Sequence, residues 1–345
     1  MRYNKITPGG QSFELAGLFT LALRLVTGWT YFSAFWRRLV LADKLDPDAA
    51  GYIGEKFNHF LPNALFIKPG IEYLVSNEQA LWWFMLVFTI VEAVVGLLFI
   101  LGFFTRLMSI GVFGLAMGIL LGAGWLGTTC LDEWQIGVLG IAAGFTIFLS
   151  GGGRYSVDYY IDKQRMGEKW KAIFAKLGSG DLNMSTTALR RIALAGAVFI
   201  FLLTLGTNQY FHGGVWGKLH NLSVRPHITL SDATIQENQL AFTVFRDEGA
   251  DVYGSFLIGV RLKNEQGTTV MERDARDLAA MTSRDIKNSY VAKVKTGKHS
   301  LVIPLGAKAR LQFNDPGLSE LPTGTYKVVL TDISGIEWEQ VINIK

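Results

Sequence analysis

Five long apolar runs fill the first three-fifths of the chain, at Phe13 to Leu39, Gln79 to Phe103, Met108 to Trp125, Trp134 to Leu149 and Arg191 to Thr207. Most are near the roughly 20 residues that a helix needs to cross hydrocarbon, and the fourth is the shortest. After Thr207 the pattern becomes one of alternation. Gln239 to Phe245, Ser255 to Lys263, Ser300 to Pro304, Thr325 to Leu330 and Glu337 to Ile344 read as strands, separated by Gly, Asn and Asp turns. The expected fold is therefore membrane α-helical, a four-helix bundle plus a fifth transmembrane helix, followed by an all-β Ig-like sandwich. This divides the chain into a helical domain over 1–178, closed by an interfacial helix, and a region over 179–345. The second region carries a transmembrane helix at about 191–207 and a sandwich at about 221–345.

Charge sets the orientation, because Lys and Arg in short loops stay on the cytoplasmic side. Arg2, Lys5, Arg106, Arg154, Lys163, Arg165, Lys169, Lys171, Lys176, Arg190 and Arg191 all fall on one side of the five spans. The other side carries Asp43, Asp46, Asp48, Glu55, Glu72, Asp132 and Glu133 against Lys44, Lys56 and Lys68. The amino terminus is expected inside, and everything after Thr207 outside, in a multi-pass protein of the cytoplasmic membrane. The first run is too long for a signal peptide and no small-residue cleavage pattern follows it, so it is expected to remain as a helix.

Composition narrows the partners. Half the residues are hydrophobic and 18% are charged, which suits a membrane bundle joined to a soluble domain. The net charge of +4 comes largely from the linker before the fifth span, whose mixture of Tyr, Ile, Trp, Phe and Lys suits an interfacial helix on anionic lipid rather than a nucleic-acid surface. A single cysteine excludes an internal disulfide, a cysteine-held iron–sulfur cluster and a multi-cysteine zinc site. No metal site is expected. Gly122-x-Gly124-x-x-Gly127 fits a dinucleotide fingerprint in letters only, since it ends a membrane helix instead of joining a strand to a helix.

Within the spans, Gly114, Gly118 and Gly122, and Gly140 and Gly144, are spaced by four and predict smooth stripes at which the bundle closes. Trp36, Trp82, Trp83, Trp125 and Trp134 stand at outer ends, where an aromatic belt in the headgroup layer is the ordinary reading and a cofactor box the sharper one. Arg24 and Glu92 lie inside the first two spans, some 10 to 15 Å from the inner surface at about 1.5 Å per residue, and are expected to form an ion pair. That pair either fixes helix register or carries protons to a bound redox cofactor. Arg37 and Arg38 break the positive-inside trend; they either snorkel to lipid phosphates or receive anions from outside through their forked donors. Cys130, in the short outer turn with Asp132 and Glu133, is either a small buried hydrophobe or a reactive thiol.

Arg24, Glu92-x-x-x-Gly96, Gly102-x-x-Thr105-Arg106 and Gly151-x-Gly153-Arg154-x-Ser156-x-Asp158 together resemble the DoxX/DoxD superfamily. The fifth span with its sandwich is similar to the DoxA subunit. The resemblance covers nearly the whole chain and implies a fused thiosulfate:quinone oxidoreductase, which joins two thiosulfates to tetrathionate while reducing a membrane quinone. It implies a quinone as electron acceptor; by their placement in the spans, Arg37 and Arg38 are then expected to be the thiosulfate-binding pair, and Trp36, Arg24 and Glu92 to lie near the quinone among the helix ends. Asp132, Glu133 and Glu92 become candidate proton donors, and Cys130 a candidate for a transient thiosulfonate adduct. The partners implied are membrane lipid, the quinone pool and thiosulfate, with a homo-oligomer left open. The alternative is a DoxX-like anchor without turnover that presents its sandwich to a redox or sulfur-metabolism partner.

Overall fold

The computed structural model of the chain describes residues 8–127, 132–162, 173–174, 176–180, 182, 184–252 and 254–344. It resolves into two compact units, each built from three stretches of sequence. One comprises Met1–Ala49, Phe84–Gly124 and Asp132–His220, the other Ala50–Trp83, Trp125–Leu131 and Asn221–Lys345.

In the helical unit, the first apolar run is helical over α1 (Pro8–Phe19) and α2 (Leu21–Phe35), with Thr20 as a turn residue between them. The Thr20 hydroxyl donates back to Ala16 O at 2.9 Å, while the Arg24 amide still donates to Thr20 O at 3.0 Å. Such back-bonding bends a helix without ending it, so the single first span of the sequence reading is a jointed one. A π-turn over Trp36–Val40 closes it, with the Leu41 amide reaching Trp36 O at 2.9 Å. Segments of this kind occur often at functional sites.

Four further helices are each long and apolar enough to cross a membrane: α5 (Glu78–Leu101), α6 (Thr105–Ala123), α7 (Asp132–Ser150) and α9 (Thr186–His212). Between α7 and α9 the described start of the expected interfacial segment is a short helix, α8 (Val157–Asp162). Ser185 caps α9 by accepting from the Ala188 amide at 3.2 Å, and Gly213 ends it in a left-handed conformation at φ 60°. α9 meets the bundle where Gly196 faces Phe145. Most of its length presents residues such as Leu194, Val198, Phe201 and Leu202 outward, as a helix in lipid would.

Glycines set the helix crossings. A Cβ at Gly96 would fall 2.5 Å from Phe32 N, and one at Gly28 would fall 2.9 Å from Gly96 O, so α2 and α5 touch backbone to backbone. Between α6 and α7 the close approach comes from Gly137, Gly140 and Gly144, which face Leu120, Ala116 and Ser109. Gly114 and Gly118, expected on that seam, open onto empty space. They sit two positions from Val112 and Ala116, about 200° around a helix, and so on the opposite face.

The second unit is a two-sheet antiparallel sandwich. Its strands are β1 (His227–Gln236), β2 (Gln239–Glu248), β3 (Ser255–Lys263), β4 (Thr269–Arg273), β5 (Ile286–Asn288), β6 (Lys295–Thr296), β7 (Leu301–Ile303), β8 (Lys308–Asn314), β9 (Gly324–Asp332) and β10 (Glu337–Ile344). One sheet runs β1-β2-β8-β5, the other β10-β9-β3-β7-β6 with β4 paired to β3. Alternate residues such as Ala309, Leu311 and Phe313 of β8 turn inward, joining Phe242, Val260, Leu262, Val328 and Leu330 in the core.

Residues 50–83 belong to this unit. Their helices α3 (Ile53–Asn58) and α4 (Lys68–Val75) contribute to an apolar cluster of Leu61, Ala64, Ile71 and Val75 with Tyr290 of the sandwich region. Asn58 fixes the register: its amide donates to Gly306 O at 2.7 Å and its Oδ1 accepts from the Ala292 amide at 3.2 Å. Gly306, at φ 73°, lies so close that a Cβ would fall 2.4 Å from Asn58 O. Trp125, expected in an aromatic belt, is instead 0% exposed, with its indole N–H on Phe60 O at 3.3 Å.

Candidate functional site

Two groups of buried charge occupy the helical unit, and they do different things. The first gathers Arg24 with the loop after α7. Arg24 is 2% exposed and donates to Gly152 O at 2.8 Å and to Tyr155 O. Only glycine fits beside it: a Cβ at Gly102 would fall 2.2 Å from Arg24 Nη1. Next to it, Asp158 accepts from the amides of Phe104 and Thr105 at 2.8 and 2.9 Å, from the Thr105 hydroxyl at 2.6 Å and from Ser179 at 2.9 Å. A carboxylate at the start of α6 satisfies amides that lack intrahelical partners and faces the positive end of the helix dipole. Arg106 donates to Phe148 O at 3.3 Å and to Gly180 O. The motif residues around 102–106 and 151–158 thus converge on one network that ties helix ends together.

The second group corrects the expected Arg24–Glu92 pair. Glu92, 4% exposed on α5, pairs with Arg38, whose Nη1 also lies 3.5 Å from Thr89 Oγ1. Arg24 is held instead by the carbonyls of the 152–155 loop. The joint at Thr20 and the Gly28–Gly96 crossing set the height of α2 against α5, and that height brings Arg38 rather than Arg24 to the carboxylate.

Arg37 and Arg38 therefore part. Arg38 turns inward, while Arg37 is exposed and donates to Ser33 O at 3.3 Å. Pairing offsets the cost of a lone charge in hydrocarbon. Trp36, half-exposed, adjoins Phe32 with ring centroids 6.1 Å apart. Tyr31, two turns before Arg38 on the same face, is buried, and its hydroxyl has no hydrogen-bond partner among the described residues. Nothing in the sequence marks Tyr31, since a tyrosine in an apolar run reads as packing.

At the far end of α6, Asp132 and Glu133 form the first turn of α7, where carboxylates suit the helix dipole. Cys130 lies outside the described residues. Close to this turn, Trp134 donates to Thr207 Oγ1 at 3.0 Å, and buried His212 sits 3.0 Å from Gly124 O through Nε2. A carbonyl only accepts, so Nε2 carries the proton. This polar pairing of α9 was not apparent from the spans alone.

The sandwich unit carries its own buried charges. Arg246 donates to the carbonyls of Ile303 at 3.2 Å and Ala250 at 2.8 Å, and burial brings its pKa down to about 10 against the pull of Asp332 and Asp251. Lys56 pairs with Asp251 at 2.6 Å. His59 is 8% exposed, and neither ring nitrogen has a hydrogen-bond partner among the described residues. No group of three or more metal-ligating side chains occurs among the described residues.

Comparison with known families follows the same division. Residues 19–185 match the model of the TQO small subunit DoxD, and residues 211–341 that of the TQO small subunit DoxA. Between them the matches take in both the Arg38–Glu92 helices and the sandwich. The chain is a DoxD-family membrane protein fused to a DoxA-like domain.

Proposed function

We propose that this protein oxidises thiosulfate to tetrathionate and passes the electrons to a membrane quinone. Two thiosulfate dianions lose one electron each as a new S–S bond joins them. The quinone takes up both electrons with two protons and leaves as quinol. The observation that carries this reading is the Arg38–Glu92 contact, in which half-buried Arg38 reaches the buried Glu92 carboxylate in a helical unit of a TQO subunit family. Arg38 holds the Glu92 carboxylate in the interior, where it relays protons to the reduced quinone. Trp36 supplies an aromatic face at the outer end of α2. Arg24 acts through the fold, by holding the 152–155 loop.

Exposed Arg37 is assigned to the approaching anion. Asp132 and Glu133 are assigned to proton supply, and Cys130 to a sulfur adduct. In this reading the amino terminus is cytoplasmic and the sandwich lies outside the cytoplasmic membrane. Support comes from the sandwich unit itself, which includes the chain between α2 and α5 and the chain after α6 as well as the chain after α9. Segments that pack together must share a side of the bilayer.

The test is turnover by the purified protein in detergent with thiosulfate and a soluble quinone analogue. Tetrathionate and quinol in equal amounts are expected. Quinone reduction without tetrathionate, or no turnover in membranes that contain folded protein, would overturn the reading. Within this assay Arg37→Lys, which keeps charge but not the planar fork, is expected to raise the KM for thiosulfate. Cys130→Ser is expected to abolish turnover if the adduct forms, and to leave it within a fewfold if it does not.

A further inference from the structure

We propose that the turn Leu65-Phe66-Ile67 of the sandwich unit inserts into the headgroup layer of the bilayer and anchors that unit on the membrane surface. Phe66 is 90% exposed and Ile67 is 36% exposed. An isolated apolar side chain on a surface needs no account, but the Phe66 backbone is also left-handed, at φ 55°. That conformation crowds a Cβ against the following carbonyl and is rare for a bulky residue. Glycine or asparagine would hold the same turn with less strain, and the ring gains almost no packing from the chain. The turn is nevertheless firmly built. The Ile67 amide closes it on Leu65 O, and Lys68 Nζ ties its base by donating to Pro62 O at 2.8 Å. Before it, the Asn63 side chain donates to Asp247 O at 3.1 Å, and on either side Leu61, Ala64, Ile71 and Val75 are buried. A rigid turn that presents a strained, uncovered phenylalanine calls for an apolar surface outside the chain.

The chain that follows the turn leads straight into the membrane. α4 begins at Lys68, next to Ile67, and at about 1.5 Å per residue it is only about 12 Å long. Two residues then separate Val75 from Glu78, the first residue of α5, whose start is capped by Asn77 Oδ1 accepting from the Ala80 amide at 3.0 Å. α5 is apolar enough to span a bilayer, and its residues up to Trp83 belong to the same unit as the turn. Trp82 and Trp83 pack edge-on in its second turn, with centroids 4.8 Å apart, as indoles do at the headgroup level. Phe66 is thus held at one end of a short strut whose other end is a spanning helix. Two apolar side chains beside an exposed lysine have the composition of an interfacial contact, in which rings settle at the acyl boundary and ammonium groups stay with phosphate. The occupant of the turn is therefore lipid, and its role is independent of which substrate the protein turns over.

The test uses the full chain in phosphatidylcholine liposomes, in a Cys130→Ser background that leaves no native thiol. A small environment-sensitive fluorophore is attached at Ile67→Cys, beside the intact phenylalanine, and in a second protein at Lys298→Cys, an exposed position on the sandwich. Quenching is then measured with aqueous iodide and with lipid carrying a nitroxide on its headgroup or high on its acyl chain. Expected at position 67 are quenching by the nitroxide lipid and about fivefold less quenching by iodide than at 298, where the lipid has no effect. Adding Phe66→Asn, which suits a left-handed backbone, should leave the melting temperature in detergent no lower and cut the lipid quenching at 67 by about half or more. Equal iodide quenching at 67 and 298, with none from lipid, would overturn the proposal. So would shielding from iodide without lipid quenching, which would place a second copy or another protein over the turn. Lipid quenching unchanged by Phe66→Asn would reject Phe66 as the anchor.

Discussion

Asp158 accepts four hydrogen bonds from two separate segments, three from Phe104 and Thr105 and one from Ser179. Asp158→Ala would leave the Phe104 and Thr105 amides buried without acceptors, at a cost of about 3 kcal/mol. The expected outcome is a markedly lower melting temperature in detergent; an unchanged melt would show that the network is dispensable. Arg38 and Glu92 call for a different measurement. Removing either leaves an unpaired charge, whereas removing both does not, so a double-alanine cycle should give a coupling of about 1–3 kcal/mol. Arg24 and Glu92, which engage different groups, should be additive within about 0.5 kcal/mol. That Arg24 and Glu92 are buried was legible in the sequence, because a charge stands out in an apolar run. Their partners were not. Partnership depends on the height of α2 against α5, and that height is set by a joint at Thr20 and by two glycines that a reading of single helices does not connect.

Elements follow the same division between what is local and what is not. β3 and β10 occupy the spans that alternation predicts, Ser255–Lys263 and Glu337–Ile344, since each carries its own inward and outward faces. β5 and β6 are two or three residues long, too short for any period to show, and exist because β8 and β7 pair with them. The stretch between α2 and α5 reads as an acidic loop, and its helices α3 and α4 are ordered by packing on the sandwich. His59 makes that packing sensitive to pH. Burial lowers its pKa from 6.5 to about 4, with Lys56 and Arg246 acting in the same direction and Asp251 against them. Since the unfolded chain binds this proton more readily than the folded one, stability from the neutral ring is complete above pH 6.5 and is lost as pH falls toward 4. At about 1.4 kcal/mol per unit, the loss is on the order of 3 kcal/mol. Asp251, itself lowered from 3.8 by Lys56, loses its contribution only below that window. Hydrogen exchange over residues 53–75 should therefore quicken between pH 7 and pH 4.5, and His59→Gln should flatten the dependence. Equal exchange at the two pH values would exclude His59 as the cause.

For the whole molecule, what sequence supplied was the count of apolar runs and the side on which the lysines and arginines fall. What it did not supply was that residues 50–83, 125–131 and 221–345 form a single unit, because contacts between segments so far apart leave no periodic trace. This unit makes the topology testable at more than one point. If its three segments share the outer side, a cysteine in any of them meets an impermeant maleimide in intact cells, and one in α8 does not. In a Cys130→Ser background, which removes the one native thiol, Lys298→Cys and Tyr73→Cys are exposed positions on the sandwich and on α4, and Tyr160→Cys is an exposed position on α8. Labelling at 298 and 73 without permeabilisation, and at 160 only after it, is the expected result. Labelling at 160 in intact cells would invert the orientation that the basic linker implies. Labelling at 298 but not at 73 would separate the sandwich from the loop before α5, and the one-sided unit on which the proposed route of thiosulfate depends would fail with it.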